Sequence, residues 1–189
     1  AKGLEKVNKL PCPGIEALID VSGLGKGKID TGKVAFGLAP RLNAAGRIAH
    51  PKAGFLLLIA KSIDEALPLA HSLEENNRQR QAIESKVIKE AEEMIDDNVD
   101  LSTESIIILN NENWDSGVIG IAASKLTEKY NRPCILISVS EEEGTGSARS
   151  IEGFDLYKAL YSCKELFRRF GGHQQAAGFS ILVSNISEL

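Results

Sequence analysis

Ser105-Ile106-Ile107-Ile108-Leu109-Asn110-Asn111-Glu112-Asn113-Trp114-Asp115-Ser116-Gly117-Val118-Ile119-Gly120-Ile121-Ala122-Ala123 is the stretch on which the fold turns. The apolar run Ile106 to Leu109 predicts a buried strand, and the small and polar residues after it predict a turn that opens a helix over Val118 to Tyr130. Cys134 to Val139 repeats the buried-strand pattern. Two further strands are expected at Gly146 to Ser150 and Phe179 to Val183, with a helix over Asp155 to Tyr161 and the stretch Lys164 to Phe170 between them. Strand alternating with helix makes this half an α/β domain on a mixed sheet.

Upstream the character differs. Pro13 suits the first turn of a helix through Ile15, Leu18 and Ile19, which Gly23-Leu24-Gly25-Lys26-Gly27-Lys28 ends with a flexible turn. Thr31 opens an element over Gly32 to Leu38, which leads into the run Ala39 to Arg47, and Pro51 precedes a helix through Phe55, Leu56 and Ile59. Ser62-Ile63-Asp64-Glu65 matches a capping box, and it introduces the longest periodic segment: Ala66, Ala70, Leu73, Asn77, Ile83, Val87, Ala91 and Met94 keep helical spacing. Pro68 is near enough to the start to bend the first turns without forbidding them. So charged a helix reads either as a connector between two globular parts or as an amphipathic helix packed along one. The fold expected is α/β: a helical segment and a long connecting helix, followed by the α/β domain with a mixed sheet. The ends, with no clear initiating element at the N-terminus and a helix start at Ser187-Glu188-Leu189, read as those of a piece of a longer protein.

The 189 residues, 43% hydrophobic and 25% charged, are enough for a real core in one domain or two small ones. No apolar run approaches the length of a membrane span and the first residues lack a secretory h-region, so a cytoplasmic protein with no membrane partner is expected. Cys12, Cys134 and Cys163 have neither disulfide nor zinc spacing and read as small apolar residues. A net charge of −4 argues against nucleic-acid binding by bulk electrostatics, although Arg41, Arg47, Lys52, Arg78, Arg80, Arg149, Arg168 and Arg169 fall in or beside glycine, asparagine and histidine positions. A local basic groove on an acidic body fits that distribution.

Four stretches carry candidate chemistry. Gly171-Gly172-His173 reads as a turn that brings bare backbone and an imidazole to one point, which suits a phosphate oxygen; a plain connecting turn reads the same way. Ser147 and Arg149, two apart in an expected strand, put a hydroxyl and a guanidinium on one face, a phosphate-binding pair or an ordinary polar edge. Arg41, Asn43 and Arg47 offer a fork for phosphodiester oxygens, or are a helix-end cap and surface charges. Trp114 opens a strand-turn-helix junction able to hold an anion, where its ring either stacks on a base or lies in the core. His50, His71 and His173 are far apart and without paired carboxylates, so no metal site is assigned and no catalytic triad is present.

Arg41-Leu42-Asn43-Ala44-Ala45-Gly46-Arg47, Gly117-Val118-Ile119-Gly120-Ile121-Ala122, Gly146-Ser147-Ala148-Arg149-Ser150 and Gly171-Gly172-His173, in this order and spacing, resemble the RecJ family of single-stranded-DNA-specific exonucleases, in the DHH phosphoesterase superfamily. The resemblance covers essentially the whole chain. It implies the end of the catalytic DHH domain over 1–61, the long connecting helix over 62–100 and the DHH-associated domain over 101–189. It further implies hydrolysis of single-stranded DNA from the 5′ end with Mn or Mg held by residues absent here, which leaves the fragment inactive alone. The implied setting is DNA repair and recombination, with helicase and single-strand-binding protein as partners. By the same resemblance Ser147 and Arg149 bind the 5′-terminal phosphate, His173 acts at the scissile phosphate, and Arg41, Asn43 and Arg47 bind DNA, with Gly171, Gly172 and Trp114 as supporting turns. Asp115 departs from the family pattern, in which His is common after the tryptophan, and an acid near phosphates is unfavourable. Two alternatives remain open: a DHH phosphoesterase for short oligonucleotides or cyclic dinucleotides, and a non-catalytic nucleic-acid-binding replication scaffold.

Overall fold

The computed structural model describes residues 2–25 and 27–189, so Lys26 of the expected glycine-rich turn and Ala1 lie outside the described residues. The chain divides into two compact units, Ala1–Ala82 and Ile83–Leu189.

The first unit is helical: α1 (Lys2–Lys9), α2 (Pro13–Val21), a π-helical segment (Lys33–Leu38) that runs directly into α3 (Ala39–Ile48), and α4 (Lys52–Ile59). The helix α1 has no counterpart in the sequence reading, because its eight residues carry only two large apolar side chains, Leu4 and Val7, too few to show a period. Pro40 stands in the first turn of α3, directly after the π-helical segment. Leu18, Leu38, Leu57 and Leu73 form the core with Ala17, Ala45, Ala66 and Ala70, all of them 3% exposed or less. Burying a leucine side chain fully contributes about 1.5–3 kcal/mol, so these four dominate the stability of a small unit.

The long helix α5 (Ile63–Asn98) spans the division between the units. At about 1.5 Å per residue its 36 residues extend for roughly 54 Å. Its start is capped nearly as expected: the Glu65 N–H donates to Ser62 Oγ (3.2 Å), and the Glu65 carboxylate accepts from the Lys61 N–H (3.0 Å), one residue further back than in the usual box. Pro68 lies inside the helix close to this start.

The second unit is a five-stranded mixed sheet in the order β1-β2-β3-β5-β4. Its strands are β1 (Ile107–Asn111), β2 (Cys134–Ser140), β3 (Glu143–Arg149), β4 (Phe167–His173) and β5 (Ala176–Leu182); α6 (Ile119–Tyr130) joins β1 to its parallel neighbour β2, and α7 (Leu156–Ser162) precedes β4. All other neighbours are antiparallel. One strand more is present than the sequence reading contains, for β4 occupies the stretch read as a connection and a turn. The end of the chain is a 3-10 turn over Val183–Glu188, not an α-helix start at Ser187. The alternation along β2 builds two cores: Cys134 and Leu136 face Trp114, Ala122, Leu126, Ala91 and Ile95, while Ile135 and Ile137 face Leu156, Leu160, Phe179 and Ile181. Of the cysteines only Cys134 is a fully buried core residue, and burial pushes its thiol up to about 12; Cys12 is exposed, against expectation. Among the described residues no helix is long and apolar enough to cross a membrane.

Candidate phosphate-binding site

Strand register assembles the site in the second unit. Ser147 of β3 stands opposite Gly178 of β5, and Gly178 opposite Gly171 of β4; one step along, Arg149, Ala176 and His173 form the next row. Directly opposed residues of antiparallel strands share a face, so these six belong to one face of the sheet. The central strand contributes only glycine and alanine to these two rows, leaving a shallow floor of nearly bare backbone. Ser147 and Arg149 line one edge of that floor. Gly171 and His173 line the other, and His173 is exposed. With neighbouring strands about 4.8 Å apart, the two edges are roughly 10 Å apart, the span of a phosphodiester and its adjoining groups.

The pair at the β3 edge is held in place. Arg149 Nε donates to Ser124 Oγ (3.1 Å) and its Nη1 to Ser147 Oγ (3.1 Å) and the Ala148 carbonyl (2.7 Å). Helix α6 packs on β2 and β3, and the absence of a side chain at Gly120 lets it come this near: a Cβ there would lie 2.8 Å from Ser147 Oγ and 2.9 Å from Arg149 Nη2.

Gly171-Gly172-His173 is not a turn, which corrects the sequence reading. The three residues pair with Gly178, Ala177 and Ala176 as the end of edge strand β4, and the connection to β5 is the two residues Gln174 and Gln175, whose second N–H donates to His173 Nδ1 (3.2 Å). The two glycines also differ. At Gly172, with φ of 157°, a Cβ would lie 2.4 Å from the Ala176 carbonyl oxygen and 2.5 Å from Ala177 Cα, so only glycine lets the strands pair; at Gly171 a Cβ would meet nothing within 4 Å. Glycine depletes strand signals, which is why pattern reading missed β4.

Trp114 lies in the core at 3% exposure, with its indole N–H donating to Glu90 (2.9 Å) and its carbonyl accepting from Ser138 (2.7 Å). Packing, not base stacking, accounts for it. Asp115 turns inward on the same junction: its Oδ1 accepts from the Gly117 N–H (2.8 Å) and its carbonyl from the Val118 and Ile119 N–H groups. The turn before α6, read as part of a ready anion site, thus has its Gly117 N–H engaged by the chain's own acid, while the first N–H of the helix goes to the Asp115 backbone carbonyl.

Arg41, Asn43 and Arg47 all lie on α3 in the first unit. At about 100° per residue Asn43 and Arg47 share a face and Arg41 falls on another. Both members of that shared face are exposed. Arg41 is mostly buried, ion-paired to Glu74 and donating to the Gly37 carbonyl (2.7 Å); Glu74 also binds Arg78 (3.1 Å). The three therefore do not form one fork.

Among the described residues no three His, Cys, Asp or Glu side chains come together to hold a metal ion, so the residues present do not fit a Mg or Mn site. Ser124 is the site residue that motif reading missed, and its position one turn after Gly120 on a helix that leaves the Trp114 junction is the signal that points to it.

Residues 103–189 match the DHHA1 domain family. Over 99% of its length the chain is 38% identical to the single-stranded-DNA-specific exonuclease RecJ of Bacillus subtilis, covering 24% of that protein. It is 34% identical over 95% of its length to the RecJ of Escherichia coli, covering 33% of it. The crystal structure of RecJ in complex with Mg2+ from Thermus thermophilus superposes on 99% of the chain with a TM-score of 0.84 at 28% identity, and the chain covers 28% of that structure. The chain spans about a quarter to a third of the length of these relatives. Four motifs in register, the DHHA1 match and this likeness over the full chain agree: the chain is similar along its whole length to a segment of the RecJ exonucleases, with residues 103–189 matching the DHHA1 domain.

Proposed function

We propose that this chain is the part of a RecJ-type exonuclease that grips the 5′ end of single-stranded DNA. In this reading Ser147 and Arg149 bind the 5′-terminal phosphate and His173 faces the phosphodiester to be cut. Asn43 and Arg47 line the path of the strand, and Arg41, tied to Glu74, anchors the helix that carries them. The observation that carries the reading is the register of β3, β5 and β4, which sets a hydroxyl and guanidinium across a bare floor from an imidazole. A guanidinium offers a planar fork of donors to phosphate oxygens, and an exposed imidazole donates a hydrogen bond or a proton near neutral pH. A pocket for a terminal phosphate accepts strand ends and rejects chain interiors, which yields 5′ to 3′ polarity.

The Mg or Mn that such an enzyme uses is, in this reading, held by other side chains of the full-length protein, and the segment alone is inactive. We assign 1–61 to the catalytic domain, 62–100 to a connecting helix and 101–189 to the associated domain. The full-length protein is placed in the cytoplasm, in DNA repair and recombination, with helicase and single-strand-binding protein as partners. The test is degradation of a 5′-phosphorylated single strand by the full-length protein with Mn2+. Arg149→Ala is expected to abolish most of it, and an unimpaired mutant overturns the assignment. Cleavage confined to dinucleotides would instead establish a short-oligonucleotide phosphoesterase.

A further inference from the structure

Ser124 stands outside every motif, yet its hydroxyl joins two elements of the site. Its single proton is committed to the Gly120 carbonyl one turn earlier (3.1 Å), so toward Arg149 Nε (3.1 Å) the oxygen acts as an acceptor, the polarity a guanidinium requires. Ser147 on β3 takes the other side of the fork. Two hydrogen bonds from two different elements fix the guanidinium plane, and a donor group held in its binding geometry beforehand loses less freedom when a ligand arrives. Gly120 completes the arrangement by leaving empty the space that Ser147 Oγ and Arg149 Nη2 approach.

We infer that α6, through Gly120 and Ser124, positions the Ser147–Arg149 pair and thereby sets the discrimination between a phosphorylated and a hydroxyl strand end. Both are positioning residues, acting through the pair, and the inference rests on the reading of Ser147 and Arg149 as the 5′-phosphate pocket. It assigns specificity to a helix whose residues need not touch the substrate.

Two variants separate this role from a structural one. Gly120→Ala puts a methyl against the ends of two side chains and against no backbone, and alanine is the better helix former, so the fold is kept while the pair is displaced. Ser124→Ala removes the acceptor but keeps the helix. The measurement is the affinity of the full-length protein, without divalent cations, for one oligonucleotide bearing either a 5′-phosphate or a 5′-hydroxyl. Each variant is expected to shrink the phosphate-to-hydroxyl affinity ratio by roughly tenfold, the size of one hydrogen bond to a charged group, with an unchanged melting temperature. An unchanged ratio in both variants, beside its loss in Arg149→Ala, overturns the inference and leaves the pocket standing. Equal weakening on both oligonucleotides with a lowered melting temperature also overturns it, as a structural effect. A wild-type ratio near one removes the pocket itself and the inference with it.

Discussion

Arg41 and Arg149 both stand among small residues, and both are candidates for phosphate, but the two regions use them differently. In the helical unit Arg41 meets a carboxylate, Glu74, with only 14% of its side chain exposed, and Glu74 is shared with Arg78. On the sheet Arg149 donates to two hydroxyls and a carbonyl at the margin of an open floor. A carboxylate holds Arg41 by charge as well as by direction, whereas two hydroxyls and a carbonyl direct the guanidinium of Arg149. Identity of residue type therefore says less than the partners it meets, and on our proposal the contrast sorts Arg41 to structure and Arg149 to recognition.

The largest consequence is on end recognition. Arg149→Ala is expected to weaken binding of a 5′-phosphorylated single strand by the full-length protein about 100-fold, on the scale of a lost charge-assisted, bidentate contact, while Arg41→Ala changes it less than about threefold. Comparable losses in both variants, measured by anisotropy, would erase the distinction. Stability reverses the order. Removing Arg41 leaves a mostly buried Glu74 carboxylate with the exposed Arg78 beside it, and a cost of about 2 kcal/mol in urea unfolding is expected. Arg149→Ala is expected to cost less than about 1 kcal/mol, since its hydroxyl partners border the solvent-facing floor.

Much of this division was legible in the chain and some was not. The strands at Ile107 and Cys134, helix α6, and the capped start of α5 follow from apolar runs and a Ser-x-x-Glu box, signals that local sequence carries by itself. The Ser147–Arg149 pair was legible because period two puts alternate residues on one face. β4 was not legible, because Gly171 and Gly172 lack the side chains that mark a strand, and its pairing with β5 is fixed by close backbone approach. Nor was the fate of Arg41, since Glu74 lies 33 residues away and only tertiary packing brings it near. Asp115 shows the same limit: its residue type does not tell that its carboxylate accepts from the Gly117 N–H within its own turn.

The floor of the site sharpens the comparison at smaller scale. Gly172→Ala forces a methyl into the backbone of β5 and is expected to destabilise by about 1–2 kcal/mol, with loss of the β4 pairing on which His173 depends. At Gly171 the same change meets open space and stays within about 0.5 kcal/mol in thermal unfolding. Similar values for the two would show that the strand is not tightly paired at its end. A bulkier Gly171→Leu, by contrast, should spare stability and obstruct the floor, weakening binding of strand ends.

The smallest expected effect is also the most specific to charge. An arginine that contacts phosphate releases counterions on binding, so each contact adds about 0.7 to the slope of log affinity against log salt for a single strand, whereas an arginine satisfied by a carboxylate adds nothing. Between 50 and 200 mM salt the Arg149→Ala protein should therefore lose roughly two- to threefold less affinity than the parent, and the Arg41→Ala protein should track the parent. A slope lowered by Arg41→Ala would mean that Arg41 leaves Glu74 for the DNA, and the helical unit would then read phosphate with the same kind of group as the sheet.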